Sequence, residues 1–155
     1  MWRTVTFTES TVVVGVDPGG TTGIGLWSRP VGLSLREIAD PADAVDWLAQ
    51  MAFAIPHAVF VVERYIITPA TAKMSQQHDA LEIIGAVKYV ARQHGHGLVM
   101  QSPSEAKSFA TDAKLKRIGW YEKGQGHARD ASRHVLTFLA RQGIIDLATL
   151  IGGVE

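Results

Sequence analysis

The sequence predicts an α/β domain with a mixed five-stranded sheet flanked by helices on both faces. Three short apolar segments follow one another near the N-terminus, which indicates an antiparallel meander. Strand and helix patterns then alternate, which is typical of parallel strands joined by crossovers. At 155 residues, 46% of them hydrophobic, the chain is expected to form one domain over residues 1–155.

The predicted strands are short runs of β-branched and apolar residues that end at turn-forming residues. They lie at residues 12–17, 24–27, 33–38, 59–63 and 98–101. Asp17 closes the first strand and is followed by the turn sequence Pro18-Gly19-Gly20.

Helix signals separate and follow the later strands. Asp40-Pro41 begins a helix whose predicted buried stripe is Val45, Leu48, Ala49, Ala52 and Phe53. After a polar stretch at residues 68–77, a long helix ends near His94, with apolar positions at Leu81, Ile84, Val87 and Ala91. A short helix starts after Ser102, a basic loop spans residues 114–126, and a last helix spans residues 127–141.

Composition excludes several classes of site. The chain has no cysteine, which rules out disulfides and thiolate metal sites. No apolar run approaches 18 residues, and the first ten residues carry no signal-peptide pattern, so a cytoplasmic location is expected.

Charge is distributed unevenly although the net charge is zero. Residues 107–141 hold eight basic and three acidic residues, a net +5, which leaves −5 for the rest of the chain. Such a segment is either an anion-binding face or a solvated helix face, and charge alone does not choose between them.

Carboxylates end two of the predicted buried strands. Asp17 follows Val-Val-Val-Gly-Val, and Glu63 follows Ala-Val-Phe-Val-Val. A carboxylate next to a core must lie at an edge, be paired or bind a cation. Asp17 could instead be a turn former, and Glu63 could pair with Arg64 or a lysine.

An acid and an imidazole begin the last predicted helix. His127 and Asp130 are three residues apart and share one side of that helix with His134. Helix capping is a second explanation for His127, but it explains Asp130 poorly because Asp130 lies inside the helix. His134 is either a partner that supports a metal ligand or a half-exposed helix residue, and we favour the second interpretation. Convergence of Asp17, Glu63, His127 and Asp130 on a divalent metal would suit phosphodiester hydrolysis.

Four segments together resemble the RuvC-type Holliday junction resolvases, within the ribonuclease-H-like nucleases. They are Val-Gly-Val-Asp17-Pro-Gly, the strand-end Glu63, Ser-Pro-Ser-Glu-Ala-Lys107 and His127-Ala-Arg-Asp130-Ala. The resemblance covers roughly residues 12–140 and looks most like bacteriophage-encoded members, which would place the protein in the cytoplasm of a bacterial host. It implies a ribonuclease-H-like fold.

The resemblance also implies a metal-dependent endodeoxyribonuclease that acts in DNA recombination and repair. Asp17, Glu63, His127 and Asp130 match the catalytic and metal-binding positions. Oxygen ligands suit Mg²⁺, and one histidine makes Mn²⁺ an acceptable substitute. Two ions per site are expected, with Asp17 as the bridging ligand.

Branched DNA such as a four-way junction is the partner that the resemblance implies, bound by a homodimer. Lys107 matches a phosphate-contacting position, and Tyr65 is the candidate for a side chain that wedges against bases. Further DNA contacts are expected from the basic loop, at Lys114, Lys116, Arg117 and Lys123. Trp120 and Tyr121 in the same loop either stack on bases or pack beneath it.

Other functions fit parts of the pattern. The nuclease could prefer flaps or other branched DNA over junctions. Asp17-Pro-Gly-Gly-Thr-Thr-Gly also resembles the phosphate loop of sugar kinases and actin-like ATPases, and this alternative gives no role to His127 and Asp130. A third alternative is a non-catalytic DNA-binding module on the same fold.

Overall fold

The computed structural model describes residues 5–73 and 77–151. The ends of the predicted domain and part of the polar stretch at residues 68–77 therefore lie outside the described residues. The strands are β1 (Val12–Asp17), β2 (Thr22–Ser28), β3 (Gly32–Ile38), β4 (Ala58–Glu63) and β5 (Gly97–Gln101). The helices are α1 (Pro41–Ala54), α2 (Gln77–Gln93), α3 (Pro103–Phe109), α4 (Asp112–Arg117), α5 (Gly126–Arg141) and α6 (Leu147–Ile151), with a 3₁₀ turn at Thr71–Lys73.

The five strands form one mixed sheet in the order β3-β2-β1-β4-β5. β2 is antiparallel to both β1 and β3, whereas β4 runs parallel to β1 and β5 runs parallel to β4. The predicted mixed five-stranded sheet is therefore confirmed, and its meander lies where the sequence placed it. Within residues 5–73 and 77–151, no helix combines the length and the apolar character needed to cross a membrane.

Each face of the sheet carries its own hydrophobic core. Alternate residues of β1 divide between them: Val14 and Val16 pack on the face covered by α1 and α2, and Val13 packs on the face covered by α5. Asp17 continues the alternation of Val13 and therefore lies on the α5 face. The end of β1 that carries Asp17 therefore faces α5.

Several sequence-based assignments are wrong in detail. Phe53 is 81% exposed, because the buried stripe of α1 runs through Ala44, Leu48 and Ala52 and leaves Phe53 on the outer side. Leu81 is also exposed, whereas Ile84, Val87 and Ala91 of the same predicted set are buried, together with Ile83. The predicted loop at residues 114–126 overlaps α4, which Thr111 caps by accepting a hydrogen bond from the Lys114 N–H.

Glycines allow α5 to lie very close to the sheet. A Cβ at Gly15 would stand 2.6 Å from the carbonyl oxygen of Ala131, and a Cβ at Gly23 would stand 2.0 Å from that of His127. Gly15 pairs with Gly25 and Asp17 pairs with Gly23 across β1 and β2. These glycines therefore form a shallow surface on which the backbone of α5 rests.

A distant glutamate caps the start of α5. The N-cap residue Gln125 makes no side-chain capping bond. Instead, Glu37 Oε1 on β3 accepts hydrogen bonds from the N–H groups of His127 (2.9 Å) and Ala128 (3.2 Å). A carboxylate at a helix N-terminus is favourable because it meets unpaired N–H groups and the positive end of the helix dipole. Glu37 thereby fixes where α5 begins relative to the sheet.

The substitution Gly23→Ala tests the close approach of α5. The added methyl group would collide with the backbone of His127, so we expect a loss of about 1–3 kcal/mol in unfolding free energy. Urea denaturation measures the change. Gly85→Ala on α2 is the matched control: its Cβ would meet open space, and alanine favours a helix by about 1 kcal/mol over glycine. Equal effects of the two substitutions would contradict the packing described above.

Candidate active site

A row of side chains crosses the sheet at the ends of the strands. Glu37 on β3 pairs with Gly23 on β2, and Gly23 pairs with Asp17 on β1. Val16 of β1 is in parallel register with Val62 of β4, so Asp17 and Glu63, the next residues, are adjacent on strands about 4.8 Å apart. Glu63 in turn pairs with Gln101 on β5. The two predicted strand-end ligands are thus immediate neighbours.

His127 lies above Asp17. Its Nδ1 donates to Asp17 Oδ2 at 3.1 Å, across 110 residues of sequence. The contact follows from the backbone, because the first turn of α5 rests on Gly23, the cross-strand partner of Asp17. The Asp17 side chain is buried, whereas the imidazole of His127 is 54% exposed. The histidine therefore connects the buried carboxylate to solvent.

Asp130 lies one turn further along α5 and is held by two basic residues. Arg133 Nε donates to its Oδ1 at 3.1 Å, and Lys107 Nζ lies 3.4 Å from its Oδ2. Arg133 is itself buried, and its guanidinium also binds the carbonyl oxygen of Ala110 and the carboxylate of Asp112. Helices α3 and α4 are therefore tied to the Asp130 side of the site.

The carboxylates of this cluster influence one another. The pKa of Asp17 is raised from 3.8 to about 7, mainly by burial and in addition by the neighbouring charges of Glu63 and Asp130, against the lowering effect of His127. A buried acid that lies beside two further carboxylates is in a negative field, which favours a cation. The electrostatics of Asp17 therefore match a site for a positive ion.

The donor set suits Mg²⁺ or Mn²⁺, although the side chains are turned to other partners. Across residues 5–73 and 77–151, no group of three or more histidine, aspartate and glutamate side chains is arranged to hold a metal ion as it stands. Each carboxylate faces a basic group of the chain: Asp17 faces His127, Glu63 faces His134 and Asp130 faces Lys107 and Arg133. Three carboxylates and an imidazole in one cluster still provide the ligands that these ions prefer.

His134 is not the half-exposed residue that the sequence suggested. It is 1% exposed, and its ring bridges Glu63 and Gln101. The prediction failed because the glycine surface brings α5 so close to the sheet that this side of the helix is buried. Gln101 and Glu37 were also missed. The sequence Gly23-Ile24-Gly25 was the available signal that a helix packs closely on β2. No local pattern could identify Gln101, which is 33 residues from its partner His134, or Glu37, which is 90 residues from its partner His127.

The overall fold matches solved structures. RuvC of Thermus thermophilus in complex with Holliday junction substrate superposes with a TM-score of 0.62 and 20% sequence identity, over 86% of this chain and 97% of that chain. A second Thermus thermophilus RuvC structure gives a TM-score of 0.54 with the same identity and coverage. The chain has the RuvC fold. No protein-family model and no curated protein sequence matches it.

The basic residues predicted to bind DNA lie on α3, on α4 and in the loop that follows. Lys107 on α3 contacts Asp130, and Lys116, Arg117 and Lys123 are exposed on α4 and the loop that follows. Lys114 is partly buried, and its ammonium donates to the carbonyl oxygen of Phe109 at 2.7 Å. Lys114 is therefore already held by the protein.

The aromatic candidates are largely packed against the protein. Tyr65 packs against the core on the α1 and α2 face, and its hydroxyl lies 3.5 Å from the carbonyl oxygen of Thr71. Trp120 packs between two core clusters, and the ring of Tyr121 lies 4.6 Å from Lys116 Nζ and 5.0 Å from Arg129 Cζ. Of the two alternatives for Trp120 and Tyr121, the structure therefore shows packing beneath the loop.

The pKa of Asp17 predicts how stability depends on pH in the metal-free protein. Because its folded pKa of about 7 lies above the ordinary 3.8, the folded chain binds this proton more tightly than the unfolded chain. The stabilising contribution is full below about pH 4 and is lost as the pH rises through 7. Asp17→Asn remains neutral throughout, so without metal the variant should be more stable than wild type at about pH 8, by roughly 1 kcal/mol or more.

Denaturation midpoints from about pH 4 to pH 8 in a chelator measure this difference. The advantage of Asp17→Asn should shrink towards the acid end, where wild-type Asp17 is also neutral. Parallel profiles for the two proteins would contradict the raised pKa.

Proposed function

We propose that this protein is a metal-dependent, structure-selective endodeoxyribonuclease that nicks branched DNA, with Holliday junctions as its main substrate. The observation that carries the proposal is the cluster at the strand ends, in which Asp17 and Glu63 are neighbours and α5 adds His127 and Asp130. The RuvC fold supports the same activity, because the similar Thermus thermophilus RuvC is a protein solved with Holliday junction substrate. A kinase-like function leaves the position of His127 and Asp130 unexplained.

Asp17, Glu63, Asp130 and His127 would hold the metal, and the pKa of Asp17 responds to the charges of both other acids. Two bound Mg²⁺ or Mn²⁺ ions would supply activation of water and stabilisation of the leaving oxygen. A bound cation also offsets the repulsion that raises the pKa of Asp17.

The residues of the chain position the reacting groups. Arg133 and Lys107 orient Asp130 from two sides. His127 holds a proton on Nδ1 towards Asp17, while the exposed part of its ring can exchange protons with solvent or substrate. Lys107, which is 57% exposed, is placed to meet a backbone phosphate beside the cluster.

The proposed partner is branched DNA, bound by two copies of the chain. A four-way junction has two-fold symmetry and two strands to cut, and each chain supplies one cluster, so paired cuts require a dimer. Lys116, Arg117 and Lys123 extend the basic surface beyond the site, and Ile66 and Ile67 are exposed in the segment directly after Glu63. Exposed apolar groups there are better placed than the packed Tyr65 to contact unpaired bases.

Cleavage of a labelled four-way junction, a flap and a plain duplex in Mg²⁺ or Mn²⁺ tests the proposal. Wild type should make paired, symmetric nicks in the junction. Asp17→Asn and Glu63→Gln should retain junction binding but lose cleavage by at least about a hundredfold, because each removes a ligand charge. Glu82→Gln is the matched control, since Glu82 is an exposed acid on α2, on the opposite face of the sheet.

Other outcomes would replace the proposal with a named alternative. Flap cleavage without symmetric junction nicks would assign the broader branched-DNA activity. Binding without any metal-dependent cleavage would indicate a non-catalytic module. Stabilisation by a nucleoside triphosphate in the absence of nuclease activity would favour an ATP-binding domain. Full activity of Glu63→Gln would overturn the metal site.

Charge removal at Lys123 tests the proposed DNA surface. Lys123 is exposed in the loop between α4 and α5, so Lys123→Ala should weaken junction binding and reduce the slope of log affinity against log salt by about 1. Fluorescence anisotropy over a salt series measures both quantities. Lys88→Ala removes the same charge from α2 on the opposite face and should change neither. Equal slopes for the two variants would exclude Lys123 from the interface.

A further inference from the structure

His134, the buried histidine of α5, contacts two polar side chains of the sheet. His134 is 1% exposed, and its Nε2 donates to Glu63 Oε2 at 2.9 Å while its Nδ1 lies 2.9 Å from Gln101 Oε1. We propose that His134, oriented by Gln101, holds the carboxylate of Glu63 in the position that binds the divalent ion. This inference rests on the proposed function. His134 is thus a positioning residue, because it acts only through Glu63.

The backbone places an imidazole above each of two neighbouring carboxylates. His127 and His134 are seven residues apart, about two turns, and therefore lie on the same side of α5. His127 lies over Asp17 on β1, and His134 lies over Glu63 on β4. Their surroundings differ, because the His127 side chain is 54% exposed and that of His134 is 1% exposed. Only His127 can reach substrate.

Gln101 fixes the ring of His134 in either orientation of its amide. With Oε1 on Nδ1, both imidazole nitrogens donate, and the amide Nε2 of Gln101 is buried without a hydrogen-bond partner among the described residues. Turned by half a rotation, the amide donates to Nδ1 and its nitrogen is satisfied. The hydrogen of His134 Nε2 points at Glu63 in both arrangements. The support for Glu63 therefore does not depend on the charge of the ring.

Glu63 needs such support because of its neighbours. Its side chain is 20% exposed, and it lies beside Asp17, whose own pKa records the repulsion between them. One hydrogen bond to Oε2 restrains the carboxylate and leaves its other oxygen for a cation. Partners that orient a metal ligand typically change metal affinity or activity by about 10–100-fold when removed.

Three substitutions at position 134 separate the two contacts of the ring. His134→Gln can place an amide nitrogen near the position of Nε2 and keep the bond to Glu63. His134→Asn can place its amide near Nδ1 and keep only the contact with Gln101. His134→Leu keeps neither. Thr137→Val is the matched control, because Thr137 is a fully buried polar residue of α5 whose hydroxyl bonds only within the helix, to the carbonyl oxygen of Arg133.

Calorimetric titration of the DNA-free protein with Mn²⁺ measures the effect directly. His134→Leu and His134→Asn should bind Mn²⁺ about tenfold more weakly than wild type, while His134→Gln and Thr137→Val should bind it as wild type does. In junction cleavage, the Mg²⁺ concentration for half-maximal rate should rise for the first two variants, with kcat at saturating Mg²⁺ largely retained. Thermal unfolding in a chelator shows which variants are folded.

The outcomes distinguish this inference from the proposed function. If wild type binds no Mn²⁺ and cuts no branched DNA, the proposed function fails. If wild type binds Mn²⁺ and folded His134→Asn binds it equally well or more tightly, the positioning role is overturned. The Gln and Asn variants keep the test valid if His134→Leu does not fold.

Discussion

The close contact between α5 and the glycine-lined part of β1 and β2 is the constraint on which the site depends. Gly15 and Gly23 leave room for the helix backbone itself, so groups at the start of α5 come within hydrogen-bond distance of the strand ends. Glu37 then fixes the first turn from β3. Without this approach His127 would not reach Asp17, and His134 would not be buried over Glu63. The geometry of the cluster therefore depends first on how closely the backbone of α5 packs on the sheet, and then on which side chains stand at these positions.

Electrostatics then decides what the cluster can do. Three carboxylates brought this close repel one another, and this repulsion adds to the effect of burial in raising the pKa of Asp17. The chain moderates it with its own basic groups, one or two for each acid. These contacts offset part of the repulsion between the acids, and at Asp130 they occupy both carboxylate oxygens. At Asp130, whose two oxygens both face basic groups, a bound divalent ion would displace Lys107 or Arg133, whereas Glu63 could bind the ion with the oxygen that His134 leaves free.

The sequence predicted the parts of the molecule that local patterns control. Strand ends at Asp17 and Glu63 follow from apolar runs and turns, and the mixed sheet follows from the order of the elements. Local patterns could not reveal Glu37, which acts 90 residues from its partners, or the burial of His134, which depends on glycines in other strands. Phe53 fits the helical period of α1 yet lies just outside the face that meets the sheet. These misses concern tertiary packing, which periodicity within one element does not encode, whereas α4 was missed although its cap Thr111 is a local signal.

The two histidines of α5 contact different carboxylates of the site: His127 contacts Asp17 and His134 contacts Glu63. His127 is half-exposed and joins a buried carboxylate to the region where substrate would lie, whereas His134 is enclosed and joins Glu63 to Gln101. A buried imidazole between two polar side chains is costly to desolvate and contributes little packing that leucine would not supply. Its placement against a carboxylate of the cluster makes sense if the orientation of that carboxylate matters. The polar row beneath α5 is therefore best explained as support for the chemistry at its exposed edge.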